Sequence, residues 1–259
     1  MFIDSHAHLD DERLAGNIDE IIAEMNTSGV EFVINASCDL KTQAAGIALA
    51  EKYKQIWALI GNHAHEARFF NQEMIDAMTA LSTHEKVIGV GEIGLDFHYD
   101  FSPREVQKKV FCEQIVLADK FQLPVVLHVR EAFGETLEIL KKHKKHLNSG
   151  VLLHCYSGSA ESVKEFSKLF DCYFSFGGAI TFKNAKKDDI IKAVPLDRIL
   201  TETDAPYLSP EPLRGRLNRP ANVKYVAEKI ALTLGKEVEE TAKIIKENTL
   251  RLFTRIKTC

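Results

Sequence analysis

The chain has 259 residues, 45% hydrophobic and 27% charged, with a formal net charge of −4 and a pI near 6.2. That length supports a full hydrophobic core in one large α/β domain or two small ones. The acidic balance excludes binding of nucleic acid through global positive charge, so a polyanion must be held by a local patch or by metal ions.

The cysteines Cys38, Cys112, Cys155, Cys172 and Cys259 form no Cys-x-x-Cys pair. They read as reduced thiols of a cytosolic protein, not as a disulfide framework. The sequence shows no basic-then-apolar leader and no apolar run of membrane-spanning length. A soluble, cytoplasmic monomer is therefore expected.

Residues 2–8 read as a first strand that ends in His6-Ala7-His8. Side chains two apart on a strand share a face, so both imidazoles are directed at one point. Imidazole is a common ligand of borderline metals. Ile18, Ile21, Ile22 and Met25 fall at helical spacing, with Asn17 and Glu20 as a cap. A strand over 31–37 and a helix from about Thr42 to Lys54 follow. The third strand, 56–61, runs into Asn62-His63-Ala64-His65, and after a helix over 71–83 the fourth strand, 87–92, ends at Glu92. Ser102-Pro103-Arg104-Glu105 predicts a helix start with Ser102 as cap.

Strand five, 124–128, ends at His128, and Phe133, Leu137 and Leu140 mark the helix behind it. Strand six, 151–154, ends at His154, and Val163, Phe166 and Phe170 mark another helix. Strand seven is 172–176, a helix covers 185–193, and strand eight, 198–203, precedes Asp204. Two helices finish the chain, the last marked by Val238, Ala242, Ile245, Leu252 and Ile256.

Eight strands alternating with helices predict an α/β protein, a single (β/α)8 TIM barrel over residues 1–259 with an additional C-terminal helix. A doubly wound open sheet is the alternative, weakened because no Gly-rich phosphate loop follows the first strand.

Catalytic groups of such barrels sit at the C-terminal strand ends. Here those ends carry His6 and His8, His63 and His65, Glu92, His128, His154 and Asp204. Singly, each has a plain role: a rim histidine, a buried carboxylate paired with lysine, an Asx turn before Ala205-Pro206. As a set on one rim they are too many for a closed structural zinc. They suit two metals that share a bridging carboxylate, hold a hydroxide and clamp a phosphoryl group. The arrangement expected is His6, His8 and Asp204 on one ion, His128 and His154 on the other, and Glu92 between them. Asp204 would also accept a proton from the attacking water.

Asp4-Ser5-His6-Ala7-His8-Leu9-Asp10, Gly91-Glu92-Ile93-Gly94-Leu95-Asp96, His154-Cys155-Tyr156-Ser157-Gly158 and Thr203-Asp204-Ala205-Pro206-Tyr207-Leu208 together resemble the signatures of the TatD-like metal-dependent DNase family. Phe182-Lys183-Asn184-Ala185 and Asn248-Thr249-Leu250-Arg251-Leu252-Phe253 extend the resemblance to the last helix. The resemblance implies an amidohydrolase-type barrel that hydrolyses DNA phosphodiester bonds, as a 3′-5′ exonuclease, by a metal-bound hydroxide. It implies two divalent ions, magnesium for activity with zinc or manganese as alternatives. It carries over the ligands His6, His8, Glu92, His128, His154 and Asp204, and the catalytic roles of Glu92, Asp204 and His63. His63 would stand behind the ligands or face substrate, and Asp96 would orient the loop after Glu92. Two positions depart from the family's habit: Ala64 replaces a proline, and Asn218-Arg219-Pro220 replaces Asn-Glu-Pro, which puts the role of that glutamate in doubt.

Arg130, Arg214, Arg216 and Arg219, with Lys183, Lys186 and Lys187, belong to loops of the same rim. Arginine suits bidentate phosphate contacts. Phe97 and Tyr99 are the best candidates for stacking bases of a single strand, while Phe69, Phe70 and Phe101 read as loop packing. Lys141, Lys142, Lys144 and Lys145 read as a solvated helix end on the opposite face. The expected partner is DNA, single-stranded or at 3′ ends. The competing readings are a barrel hydrolase of a small amide, lactone or phosphoester, and a metal-stabilised scaffold without catalysis.

Overall fold

The computed structural model describes residues 1–257, so Cys259 lies outside the described residues. Eight strands follow one another in sequence order, each hydrogen-bonded in parallel to the next: β1 (Phe2–Ala7), β2 (Val30–Asn35), β3 (Ile56–Ile60), β4 (Val87–Asp96), β5 (Val125–Arg130), β6 (Val151–Leu153), β7 (Cys172–Phe176) and β8 (Ile199–Thr201). The helices are α1 (Glu12–Ala15), α2 (Ile18–Thr27), α3 (Leu40–Lys52), α4 (Gln72–Leu81), α5 (Arg104–Phe121), α6 (Phe133–Lys142), α7 (Ala160–Leu169), α8 (Asp188–Ala193), α9 (Val223–Leu234) and α10 (Val238–Leu252). This is a TIM barrel with an extra C-terminal helix.

The seam between β8 and β1 is sewn outside a regular ladder. The Thr201 hydroxyl donates to the Ile3 carbonyl at 2.8 Å, and Asp204 N–H donates to the His6 carbonyl at 2.9 Å. His8 N–H reaches the Ala205 carbonyl at 2.7 Å. Buried Asp4 accepts from the backbone N–H and the hydroxyl of Thr203 at 2.9 and 2.5 Å. These contacts join the two terminal strands of the sheet order and cover their edges.

Two apolar layers support the barrel. Ile3, Ile34, Leu59, Ile88, Val126, Leu152 and Leu200 belong to one buried cluster, and Leu252, Phe253 and Ile256 join it from below. α10 ends at Leu252, before Ile256, so the last apolar residues plug the bottom of the barrel instead of extending a helical stripe. A methyl on Gly89 would sit 3.3 Å from the Phe253 ring. With that end filled, chemistry is confined to the opposite mouth.

Several boundaries differ from the sequence expectation. Strand eight is shorter, and β4 runs four residues further, to Asp96, because residues 93–96 pair with 127–130 of β5. Asn17 holds the cap position of α2 without a side-chain cap bond. α5 is capped at Pro103, and the Ser102 hydroxyl instead donates to the His65 carbonyl at 2.7 Å and accepts from Arg68 N–H at 3.1 Å. Ser102 thus ties the start of α5 to the histidine loop after β3.

Candidate metal centre

Two strand irregularities aim the central side chains. In β4, Gly91 and Glu92 together oppose Val126 of β5, and in β1, Ser5 and His6 together oppose Ile34 of β2. An extra residue at such a bulge re-aims a side chain near a site. Glycine permits the crowding at β4: a Cβ on Gly91 would lie 2.7 Å from the Cβ of Val126. Gly94 has φ +140° and backs directly onto the His128 carbonyl.

The result is a carboxylate flanked on both oxygens. Glu92 Oε2 lies 3.3 Å from His6 Nε2 and 3.5 Å from His8 Nε2. Its Oε1 lies 2.7 Å from His128 Nδ1, 2.7 Å from His154 Nε2 and 3.3 Å from His63 Nε2. Asp204 Oδ1 is 3.5 Å from His8 Nε2. The backbone of Asp204 is left-handed, with φ 55°, as is Cys155 beside His154, with φ 42°. Non-glycine residues hold such angles where surrounding structure fixes them, and these cluster at functional sites.

Around this centre stand groups that hold the imidazoles. Asp96 Oδ2 meets His65 Nε2 at 2.9 Å and His128 Nε2 at 3.0 Å, while its Oδ1 accepts from the N–H groups of His98 and Tyr99. Asp96 therefore anchors two rings as well as the loop. Glu202, buried and bonded to the Ser175 hydroxyl, presents Oε1 to His154 Nδ1 at 3.4 Å. His63 accepts its own loop's His65 N–H at 3.1 Å through Nδ1.

The electrostatics favour positive charge at the centre. Burial opposes ionisation of Glu92, but the charge of His154 and hydrogen bonds from His128 and His154 hold its pKa well below the usual carboxylate range. Burial also opposes ionisation of Asp204, yet its hydrogen bond with His8 keeps its pKa low. Burial lowers His63 to about 4.

The donors fit divalent cations. His6 Nδ1 and Nε2, His154 Nδ1 and Glu202 Oε1 are buried polar atoms without hydrogen-bond partners, and each such orphan is costly unless something satisfies it. His6, His8 and Glu92 form one group able to hold an ion, and Glu92, His128 and His154 form a second. Two further groups, His63 with His65 and His128, and His6 with His154 and Glu202, adjoin them. Mixed imidazole and carboxylate donors suit zinc, manganese, iron or magnesium.

Above the cluster opens a cavity of about 820 Å³, lined by His8, His63, Glu92, His128 and Asp204 and walled by Tyr99, Arg130 and Tyr207. The structure therefore brings all the candidate ligands and His63 to one place. The substrate candidates divide. Arg130 and Tyr99 line the cavity, with the guanidinium 4.7 Å from the ring centroid. Phe97 is corrected: the residue is buried, lies outside the cavity lining and packs against Arg104 and Lys108, so it is not presented to a base. Arg219 is also corrected: it pairs with Glu20 at 2.8 Å and Glu24 at 2.5 Å on α2. Arg214 and Arg216 are exposed outside the cavity lining, Arg214 lying over Phe182 at 4.4 Å. Glu202 went unnoticed in the sequence because it reads as part of strand eight; its spacing of two from Asp204 was the available signal.

A barrel with this cluster at its C-terminal mouth is the architecture of a metal-dependent hydrolase. The profile of the family described as TatD related DNase matches residues 3–254, and the chain belongs to that family. It is 42% identical over 254 residues to YabD of Bacillus subtilis (strain 168), an uncharacterized metal-dependent hydrolase, covering 98% of this chain and 99% of that protein. It is 30% identical over 243 residues to the 3′-5′ ssDNA/RNA exonuclease TatD of Cronobacter sakazakii, covering 92% of each. The crystal structure of YJJV, a TatD homolog from Escherichia coli K12, matches with a TM-score of 0.91 and 32% identity over 98% of each chain.

Proposed function

We propose that the protein is a divalent-metal-dependent exonuclease that hydrolyses phosphodiester bonds of single-stranded DNA from the 3′ end. The observation that carries this is Glu92, whose two oxygens each face a separate histidine group, as a bridge between two cations requires. His6, His8 and Asp204 would hold one ion, His128 and His154 the other, and Glu92 both. Bound there, divalent ions supply Lewis acidity at the phosphoryl group and a water nucleophile at neutral pH.

The chain's own side chains do the rest. Asp204, ionised and open to the cavity beside His8, accepts the proton released by the attacking water. His63, kept neutral by burial, hydrogen-bonds at the floor without adding charge. Arg130, on the cavity wall, offers its fork to a phosphate. Relatives named as 3′-5′ ssDNA/RNA exonucleases support the polarity and the single-stranded substrate.

The test uses 5′-labelled single-stranded DNA and metal-stripped protein with magnesium, manganese or zinc restored in turn, beside Glu92→Ala. A metal-dependent ladder shortening from the 3′ end, lost in the variant, is expected. Internal cuts would make the protein an endonuclease, and no cleavage with any metal would remove the nuclease reading.

A further inference from the structure

His154 stands between two carboxylates. Its Nε2 faces Glu92 Oε1 at 2.7 Å, and its Nδ1 faces Glu202 Oε1 at 3.4 Å. Glu92 lines the cavity, whereas Glu202 is fully buried outside the lining. The distance to Glu202 exceeds the roughly 2.7–3.2 Å of an N–H···O bond. It matches the bite of a shared ion: two donors, each about 2.0–2.1 Å from a tetrahedral zinc, lie about 3.3–3.4 Å apart.

Two further donors converge on Glu202. A ring nitrogen of His6 joins Glu202 and His154 in a group whose donor atoms all lie within 4.8 Å of one another, and all three residues are buried. The His6 ring stacks on His154 at 4.0 Å, which sets its nitrogens beside those of His154. The fourth donor is the Cys155 thiol, which lies against the Glu202 carboxylate. From Gly177 both are in reach, since a Cβ there would lie 3.6 Å from Glu202 Oε1 and 3.9 Å from Cys155 Sγ. The Ser175 hydroxyl donates to the other Glu202 oxygen, so Oε1 is the one turned to this group.

Glu202 Oε1, His154 Nδ1 and both nitrogens of His6 have no hydrogen-bond partner. Buried polar atoms in that condition are costly unless an ion satisfies them. The donors point to a class of ion. Two nitrogens, one oxygen and one sulfur make a tetrahedral set suited to zinc, while magnesium and manganese favour oxygen. The groups around Glu92 offer nitrogen and oxygen only.

We propose that Glu202, His154, His6 and Cys155 form an inner seat for a zinc-class ion, and that filling it disables the outer pair at Glu92. A neutral imidazole has one lone pair and one N–H. With Nδ1 of His154 on an inner ion, its proton sits on Nε2, which then donates to Glu92 and no longer ligates. With an outer ion on Nε2, the proton sits on Nδ1 and Glu202 accepts it. His154 therefore serves one ion at a time. The Cys155 proton leaves to solvent as the sulfur binds. Zinc-class ions thus act as a brake on a centre that runs on harder ions. The inference rests on the outer pair proposed above, though not on its substrate.

The experiment uses cobalt(II) as the probe, because a thiolate ligand gives it an intense near-ultraviolet charge-transfer band that imidazole and carboxylate do not. Metal-stripped full-length protein is titrated with cobalt, and wild type should develop the band up to one thiolate-bound cobalt per chain. Cys155→Ser should lose it. Cys38→Ser, which removes the thiol of the cavity lining, should keep it. X-ray absorption of wild type with one equivalent of zinc should show one sulfur neighbour at about 2.3 Å, a reading that needs no variant to fold. Manganese bound beforehand, followed by its paramagnetic resonance, should be released as the cobalt band grows. No thiolate band and no sulfur neighbour, or a band that depends on Cys38, would overturn the seat. Manganese retained in full beside a complete band would overturn the brake. Manganese that never binds the stripped protein would refute the outer pair and the brake with it, while the cobalt band decides the seat.

Discussion

Glu202 Oε1 lies 3.4 Å from His154 Nδ1, and neither atom has another hydrogen-bond partner. A ligating imidazole usually directs its second nitrogen at a carboxylate, which fixes the ring and raises its basicity. Glu202 is positioned to do this for His154, as Asp96 is for His128 through Nε2 at 3.0 Å. Glu202→Gln keeps the shape and removes the charge. Its affinity for divalent metal, measured by titration calorimetry on stripped protein, should fall about 10- to 100-fold. Unchanged affinity would assign Glu202 to barrel packing alone.

Arg130 and Arg219 make opposite predictions. Arg130 stands in the cavity, whereas Arg219 is occupied by Glu20 and Glu24. Arg130→Ala should weaken single-stranded DNA binding and lower the slope of log K against log salt by about one, the signature of one lost phosphate contact. Arg219→Ala should leave that slope unchanged and shift stability by no more than about 1 kcal/mol, as partly exposed ion pairs do. Binding isotherms at several salt concentrations decide between the two residues. A reduced slope for Arg219→Ala would return it to the phosphate path.

Why these assignments separate is instructive. The candidate ligands were legible because each follows an apolar run, and a barrel turns every strand end toward one rim. His6, His8, Glu92, His128, His154 and Asp204 needed only the strand count. The irregularities at Ser5–His6 and Gly91–Glu92 were not legible, because a bulge is defined only by the single residue of the partner strand that two residues oppose. The far end of β4 was hidden for the same reason: Gly94 reads as a break until His128 is known to lie behind it. Phe97 and Tyr99 look alike in a loop, and only Arg104 and Lys108, brought up by α5, bury one of them. Arg219 reads as a free cation because its partners are 195 and 199 residues away.

Metal should also stabilise the fold. Both ring nitrogens of His6 are buried and unsatisfied, so an ion that meets one of them binds the native state and not the unfolded chain. Ligand at a hundred times its Kd adds about 2.7 kcal/mol. For a chain of this size that corresponds to a rise in Tm of roughly 5–10 °C. Calorimetric scans with chelator and then with manganese, zinc or magnesium should show the increase, and Glu92→Ala should show much less of it. A melting point indifferent to all three ions would argue against the centre.

The bottom plug gives a prediction independent of chemistry. Phe253 is fully buried, continues α10 without belonging to it, and fills space that Gly89 leaves open beneath the barrel. Arg255, two residues on, donates to the carbonyls of Ser82 at 2.7 Å, Val87 at 3.2 Å and Phe121 at 3.2 Å, which holds the segment in place. The neighbours of Phe253 belong to closed strands that cannot collapse inward, so truncation should leave a cavity. Phe253→Ala should therefore cost about 3–5 kcal/mol, at the usual level for a core phenylalanine. The urea midpoint should fall with the m-value unchanged, while metal affinity at the opposite mouth stays as in wild type. A loss below about 1 kcal/mol would mean that the plug packs loosely and that the barrel interior alone holds the strands together.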